Sequence, residues 1–415
     1  MNLVISQESV LRDSPIVRRI AGGVGYDLPQ WTILALWLAE QRHLARCDGG
    51  GGGGGSSRWG PYLAVLPDAA GTVLDWKEGE VDRWLSGGLR TKARIITAAD
   101  DASWSEVADL VSAAEVDGAC PHGMFTRDSV RWAVGVLLSR SVRLDSAGGE
   151  TVLVPFADFA NHSVDADCFL DFDAGSGAVG VRLDRGYAPG EQVFISYGPK
   201  SSGELLLSYG FAPPPGSNPN DAAFLDLRLA APSAQLDEQP TQQQQRGRKK
   251  QQQQQQASVT GRPAPPESRV LEAKRAAMAA RGVPDSEVFG VRLDALPEGL
   301  LDYIAFLDAP LEDESDAEGL ADALLSRGEL PILKDGTSAE ALALEGLARR
   351  CKQALKAYTQ DPAADKRLAD TVLQGGGYEQ REALCASIRL RERAILSRTE
   401  FVALQRAKAI RRGQV

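Results

Sequence analysis

Histidine and cysteine are scarce in this chain: its 415 residues hold three of the first and five of the second. Cys47, Cys120, Cys168, Cys351 and Cys385 are scattered and odd in number, and no two form a Cys-x-x-Cys pair. That pattern argues against a disulfide framework and for a reducing compartment. His43, His122 and His162 are too few for a structural zinc site, and no second ligand pair follows Cys120 and His122, so no metal is expected. No apolar run comes near the ~20 residues that cross a bilayer, so no membrane partner is expected. The opening Met1-Asn2-Leu3-Val4-Ile5-Ser6 lacks the cationic flank and long apolar core of a secretory signal, and no transit peptide is visible. Basic charge is also in deficit. Lys and Arg number 46 against 56 Asp and Glu, a net charge of −10, which disfavours a nucleic-acid partner. Finally, no Gly-x-Gly-x-x-Gly follows a strand pattern, which disfavours a doubly wound nucleotide-binding sheet.

What is present divides the chain. Residues 48–57 form a Gly-Ser run and residues 236–257 a glutamine-dominated run with Arg246, Arg248, Lys249 and Lys250. Neither composition can build a packed core. Residues 28–45 predict a helix with Pro29 in its first turn and a dense apolar face that includes Trp31, Leu34 and Trp37. Thr126 is a candidate N-cap for a helix over 129–139. Between about 150 and 211 the texture changes to short β-like runs around Val152, Phe169, Val179 and Val193, broken by turn residues. After the glutamine run, helical patterns return over 268–281, from Ser338 (paired with Glu340 as a cap) to about Tyr358, and over 378–410.

Three segments carry chemistry. They are Leu138-Ser139-Arg140-Ser141-Val142, then Pro155-Phe156-Ala157-Asp158-Phe159-Ala160-Asn161-His162-Ser163, then the stretch from Gly190 through Tyr197-Gly198-Pro199-Lys200 to Tyr209-Gly210-Phe211. Asp-x-x-Asn-His puts polar groups at the end of an apolar run, where a purely structural strand gains nothing from them. Arg, Asn, Tyr and flat apolar rings together suit a cofactor with an adenine, an amino-acid end and a reacting centre. Singly, each has a plainer reading as a turn device or core packing.

In this order and spacing the segments resemble the SET domain of the family typified by the plant Rubisco large-subunit lysine methyltransferase and its animal relatives. Asn161-His162-Ser163 matches its Asn-His motif, 191–197 its catalytic-tyrosine segment, and 201–211 its Ser-x-x-Glu-Leu-Leu-x-x-Tyr-Gly-Phe tail. The resemblance implies an α+β fold: a SET domain of short β-strands with a helical insert over 1–212, a linker with the Gln-rich insert over 213–260, and an all-α substrate-binding domain over 261–415. It implies S-adenosyl-L-methionine as cofactor and transfer of its methyl group to a protein lysine. Tyr197 would be the catalytic tyrosine. Arg140, Asn161, His162 and Phe211 would bind cofactor, and Arg140, Asp158, Tyr197 and Tyr209 would border the substrate. The partner would be a protein, the Rubisco large subunit or another plastid or cytosolic protein, and the enzyme a monomer. An intracellular soluble chain is expected, with chloroplast and cytoplasm or nucleus both open. A histidine acceptor and a protein-binding adaptor that has lost catalysis are the rival readings.

Two departures stand out. The family opens on a Gly-Arg-Gly-like strand that cradles the cofactor, whereas Met1-Asn2-Leu3-Val4-Ile5 matches the strand after it, so that wall is expected to be missing. Val142 stands where the family commonly has an aromatic.

Overall fold

The computed structural model describes residues 4–23, 28–48, 58–145, 148–173, 175–229, 266–311, 316–325, 335–372 and 381–414. Met1-Asn2-Leu3, nearly all of the Gly-Ser run and the glutamine run lie outside them. The chain forms two compact units, one of residues 1–222 with 359–392, the other of 223–358 with 393–415.

Unit 1 opens with helices α1 (Gln7–Asp13), α2 (Pro15–Ala21) and α3 (Gln30–Asp48). Pro29 precedes α3 instead of entering its first turn; its carbonyl accepts from the Thr32 and Ile33 N–H groups. From Thr32 to Glu40 every residue of α3 is buried, on all sides of the helix and not on one face, as expected for a helix threading the middle of a core. The short α4 (Gly60–Leu63) and α5 (Glu80–Trp84) lead into α6 (Gly87–Val116) and α7 (Arg127–Arg140). Thr126 caps α7 in a reciprocal box with Ser129, which satisfies two amides the helix leaves orphaned. Helices α3 and α7 pack on each other, and Leu34, Leu36, Ala133, Val136 and Leu137 between them are fully buried.

The strand region is a set of two-stranded pairs. Strands β1 (Val142–Leu144) and β2 (Glu150–Val152) run antiparallel, and Ile5 adds a bridge to Leu153. The strand β3 (Asn161–His162) lies parallel to β6 (Phe194–Ile195), while β4 (Phe169–Asp173) and β5 (Ala178–Arg182) form an antiparallel hairpin between them in sequence. Leu144, Val152 and Val154 form a small core against which Phe172 and Val179 pack. Helix α8 (Ser202–Tyr209) closes the region. Ser201 and Glu204 cap it reciprocally, and Gly210 ends it in the left-handed conformation.

Unit 2 is mainly helical, with α9 (Pro266–Ala280), α10 (Leu300–Asp308), α11 (Asp316–Leu325) and α12 (Ser338–Leu355). Thr337, one residue earlier than expected, is the cap of α12: its hydroxyl accepts from the Glu340 N–H at 3.3 Å. The unit also holds a two-stranded sheet, β7 (Ala222–Arg228) with β8 (Ser286–Arg292), added to the helical architecture read from the sequence. Alternate apolar residues of β7, Leu225 and Leu227, enter the core beside Leu300, Ile304 and Leu347. The buried Lys274 ammonium donates to the carbonyls of Phe306, Leu307 and Ala309 at 2.9, 3.1 and 2.7 Å, closing the end of α10. Helix α13 (Pro362–Val372) belongs to unit 1, and α14 (Arg381–Arg411) supplies residues to both. No helix among the described residues is long and apolar enough to cross a membrane.

Candidate active site

Two short strands join segments that are far apart in sequence. Because β3 pairs with β6, Asn161 lies opposite Phe194 and His162 opposite Ile195. Tyr197 leaves the end of β6, so the Asn-His and tyrosine segments meet. Helix α8 then brings Tyr209 and Phe211 to the same place. The rings of His162 and Tyr197 stack at 5.1 Å and 27°, and those of Tyr197 and Tyr209 at 4.7 Å and 28°. Phe211 lies 6.2, 6.4 and 6.3 Å from His162, Tyr197 and Tyr209. Four of the residues singled out from sequence thus form one ring cluster. Asn161 stands beside it with an exposed side chain.

The polar atoms of this cluster are oriented. The Tyr197 hydroxyl donates to the Ala160 carbonyl at 2.9 Å. With its proton committed there, the oxygen can meet any further polar group only as an acceptor. The Tyr197 N–H donates to His162 Nδ1 at 3.1 Å. Nδ1 is therefore an acceptor, the ring is neutral with its proton on Nε2, and the 3.3 Å approach of Nδ1 to the Ile195 carbonyl is a contact, not a bond. Burial pushes the His162 pKa down, and the Lys200 charge adds to this. Burial also pushes the Tyr209 phenol up to about 12. Both effects keep these two side chains uncharged at neutral pH.

A second group is polar and buried. Arg140, the last residue of α7, donates from Nη1 to the Asp158 carbonyl at 3.1 Å and to Asp158 Oδ2 at 3.4 Å. Tyr62, from α4, donates its hydroxyl to the same Oδ2 at 2.7 Å. The Asp158 side chain has no solvent exposure, and its Oδ1 has no hydrogen-bond partner among the described residues. Burial holds the Asp158 pKa above the usual carboxylate range, against the lowering effects of Tyr62 and Arg140. Asp158 sits in a 3-10 turn, Ala157–Phe159, that runs directly into Ala160. The two groups therefore share one turn: Asp158 belongs to one, and the Ala160 carbonyl anchors the other.

Close backbone approach holds the cluster in place. A Cβ on Gly210 would lie 2.5 Å from the Gly71 carbonyl oxygen, and Gly210 has φ +79. Only glycine permits both. Before the turn, Phe156 is the only non-glycine residue among those described with positive φ, at 81°, and its side chain is 79% exposed. Sequence reasoning missed Tyr62, the Ala160 carbonyl and the Gly71–Gly210 contact. Tyr62 follows Gly60-Pro61 at a helix start, but no local pattern signals a partner 96 residues away.

Two family models match the chain. The SET domain model matches residues 32–198, and the Rubisco LSMT substrate-binding model matches 265–396. The chain thus carries a SET domain followed by a Rubisco LSMT substrate-binding domain. The SET match ends one residue after Tyr197, so it takes in Arg140, Asp158, Asn161 and His162 but stops short of Tyr209 and Phe211. Among curated proteins it is similar to SET domain-containing protein 4 of Homo sapiens, 26% identical over 224 residues, 51% of this chain and 49% of the relative. It is 28% identical over 178 residues to the ribosomal lysine N-methyltransferase set10 of Schizosaccharomyces pombe, covering 42% of this chain and 31% of that one. It is 28% identical over 177 residues to the actin-histidine N-methyltransferase of Danio rerio, 38% and 27% of the two chains. The chain thus spans about half the length of the human relative and less of the other two. The fold is shared with the solved SET domain of LSMT bound to lysine and AdoHcy, with a TM-score of 0.67 and 21% identity over 99% of this chain and 81% of that one.

Proposed function

We propose that this chain transfers a methyl group from S-adenosyl-L-methionine to the side chain of a lysine on a protein substrate. The observation that carries the reading is the ring cluster, with the Tyr197 hydroxyl tied to Ala160 and the Asn161-His162 pair directly beside it. The residues suit the cofactor by chemistry. Exposed Asn161 offers an amide for an amino acid's carboxylate and ammonium, Phe211 a face for an adenine, and the Tyr197 oxygen an acceptor for the polarised groups around a sulfonium. When bound, the cofactor supplies an electrophilic methyl on positive sulfur.

The chain's own residues do the rest. Lysine, with a pKa near ~10.4, must present a neutral amine, and a narrow apolar channel bordered by Tyr197 and Tyr209 would disfavour the charged form. The Tyr197 oxygen, fixed by its bond to Ala160, orients that amine by accepting from one N–H. Asp158 and Tyr209 border the amine's approach, and Arg140 connects this border to the cofactor side. His162, neutral and stacked on Tyr197, fixes the angle of the catalytic ring. We assign 1–212 to the transferring domain, 213–260 to a linker and 261–415 to recognition of the protein substrate, a reading supported by the two family models. The substrate class is a plastid or cytosolic protein, with the Rubisco large subunit among the candidates, and the enzyme works as a monomer without metal. Incubation of such proteins with labelled cofactor, followed by mass spectrometry of the modified residue, tests this: methyl-lysine is expected, whereas methyl-histidine or no modification contradicts it.

A further inference from the structure

Tyr62 is 7% exposed and reaches the site from α4, outside all three motif segments. It spends its hydroxyl proton on one atom, Asp158 Oδ2. The same oxygen lies 3.4 Å from Arg140 Nη1, and the partner oxygen, Oδ1, is buried without a hydrogen bond among the described residues. A buried carboxylate with one oxygen unsatisfied depends heavily on the donors at the other. The side chains that act on its charge are Tyr62 from α4 and Arg140 from α7, and the Asp158 backbone N–H adds a smaller effect in the same direction. Removing the Tyr62 hydroxyl would leave Oδ2 with the longer Arg140 contact alone. The consequence reaches the ring cluster, because two residues after Asp158 the Ala160 carbonyl accepts the Tyr197 hydroxyl.

We propose that Tyr62 is a positioning residue for methyl transfer: its hydroxyl clamps the Asp158 carboxylate against Arg140 and so holds the turn that anchors Tyr197. This rests on the function proposed above. Tyr62 touches neither substrate nor cofactor in this scheme and acts through Asp158. The clamp also has an electrostatic consequence. A hydrogen bond to the carboxylate favours its charged form, so loss of the hydroxyl makes Asp158 harder to ionise.

The test is Tyr62→Phe, which keeps the buried ring and removes one oxygen. The variant is expected to lose about tenfold or more in kcat, as for loss of a hydrogen bond to a charged group, with little change in KM for the lysine substrate. The acidic limb of its pH–rate profile should move to higher pH, because Asp158 becomes harder to ionise. Superimposable kinetics and pH profiles for the two proteins would overturn the proposal. A second measurement does not need turnover. Thermal stability of the wild type and Tyr62→Phe is followed across pH, alone and with Asp158→Asn. The loss caused by Tyr62→Phe should grow as pH rises and Asp158 ionises, and become independent of pH once residue 158 is an amide. A loss equal at every pH in both backgrounds would overturn the clamp. If the wild type transfers no methyl at all, the function proposed above fails, and the stability cycle still decides the Tyr62–Asp158 coupling.

Discussion

The ring cluster and the polar group are built from the same turn but by opposite means. Every ring in the cluster comes from a motif segment, and the rings span 50 residues of sequence, from His162 to Phe211. Its cohesion is packing: stacked or edge-on aromatics whose protonation burial keeps fixed. The polar group draws Tyr62, Arg140 and Asp158 from three separate elements, and its cohesion is hydrogen bonding around a carboxylate whose charge burial opposes. The first is a shape and the second a charge state. They should therefore fail differently.

The largest expected effect falls on the shape. Gly210→Val forces a side chain into the Gly71 carbonyl at a left-handed backbone position, and strain plus overpacking should cost about 3–5 kcal/mol. Calorimetric unfolding checks this, and a Tm within a degree or so of wild type would mean that the close approach does not constrain the cluster. Next comes Tyr197→Phe. It keeps the stack and removes the oxygen, so turnover should fall by about 10²–10³, while stability falls only by the value of one hydrogen bond, about 1 kcal/mol. Parallel loss of both would assign Tyr197 to packing.

The smallest effect separates the two groups by pH. Because the Asp158 pKa is raised in the folded state, the folded chain holds that proton more tightly than the unfolded one. Stability from this group is present at acid pH and is lost as pH rises through the folded value. Asp158→Asn removes that dependence, so the Tm difference should move in the variant's favour as pH rises from the ordinary carboxylate range through the raised folded value. A difference that is flat with pH would break the distinction between shape and charge.

The contrast also explains what could be read in the sequence. Arg140, Asp158, Asn161, His162, Tyr197, Tyr209 and Phe211 were each singled out as candidates because motif spacing survives in one dimension. Their hydrogen-bond partners were not: Tyr62 meets Asp158 across 96 residues, and no periodicity encodes that. The same holds for the fold. Thr126 announced α7 because capping is local, whereas β7 and β8 were hidden because two seven-residue strands, 222–228 and 286–292, must find each other across the glutamine run. Helix α3 looked one-sided from its apolar pattern. Its burial on every side depends on α1, α2, α4 and α7 around it.

In the proposed function, residues 140–211 form a cofactor site at which Tyr197 acts on chemistry and Asn161 on binding. Calorimetric titration with S-adenosyl-L-homocysteine, run beside a methyl-transfer assay, tests it most directly. The wild type should bind and transfer, Asn161→Ala should lose at least about tenfold in affinity, and Tyr197→Phe should still bind while transfer collapses. A wild type that does not bind, or a Tyr197→Phe variant that transfers at the wild-type rate, would contradict it.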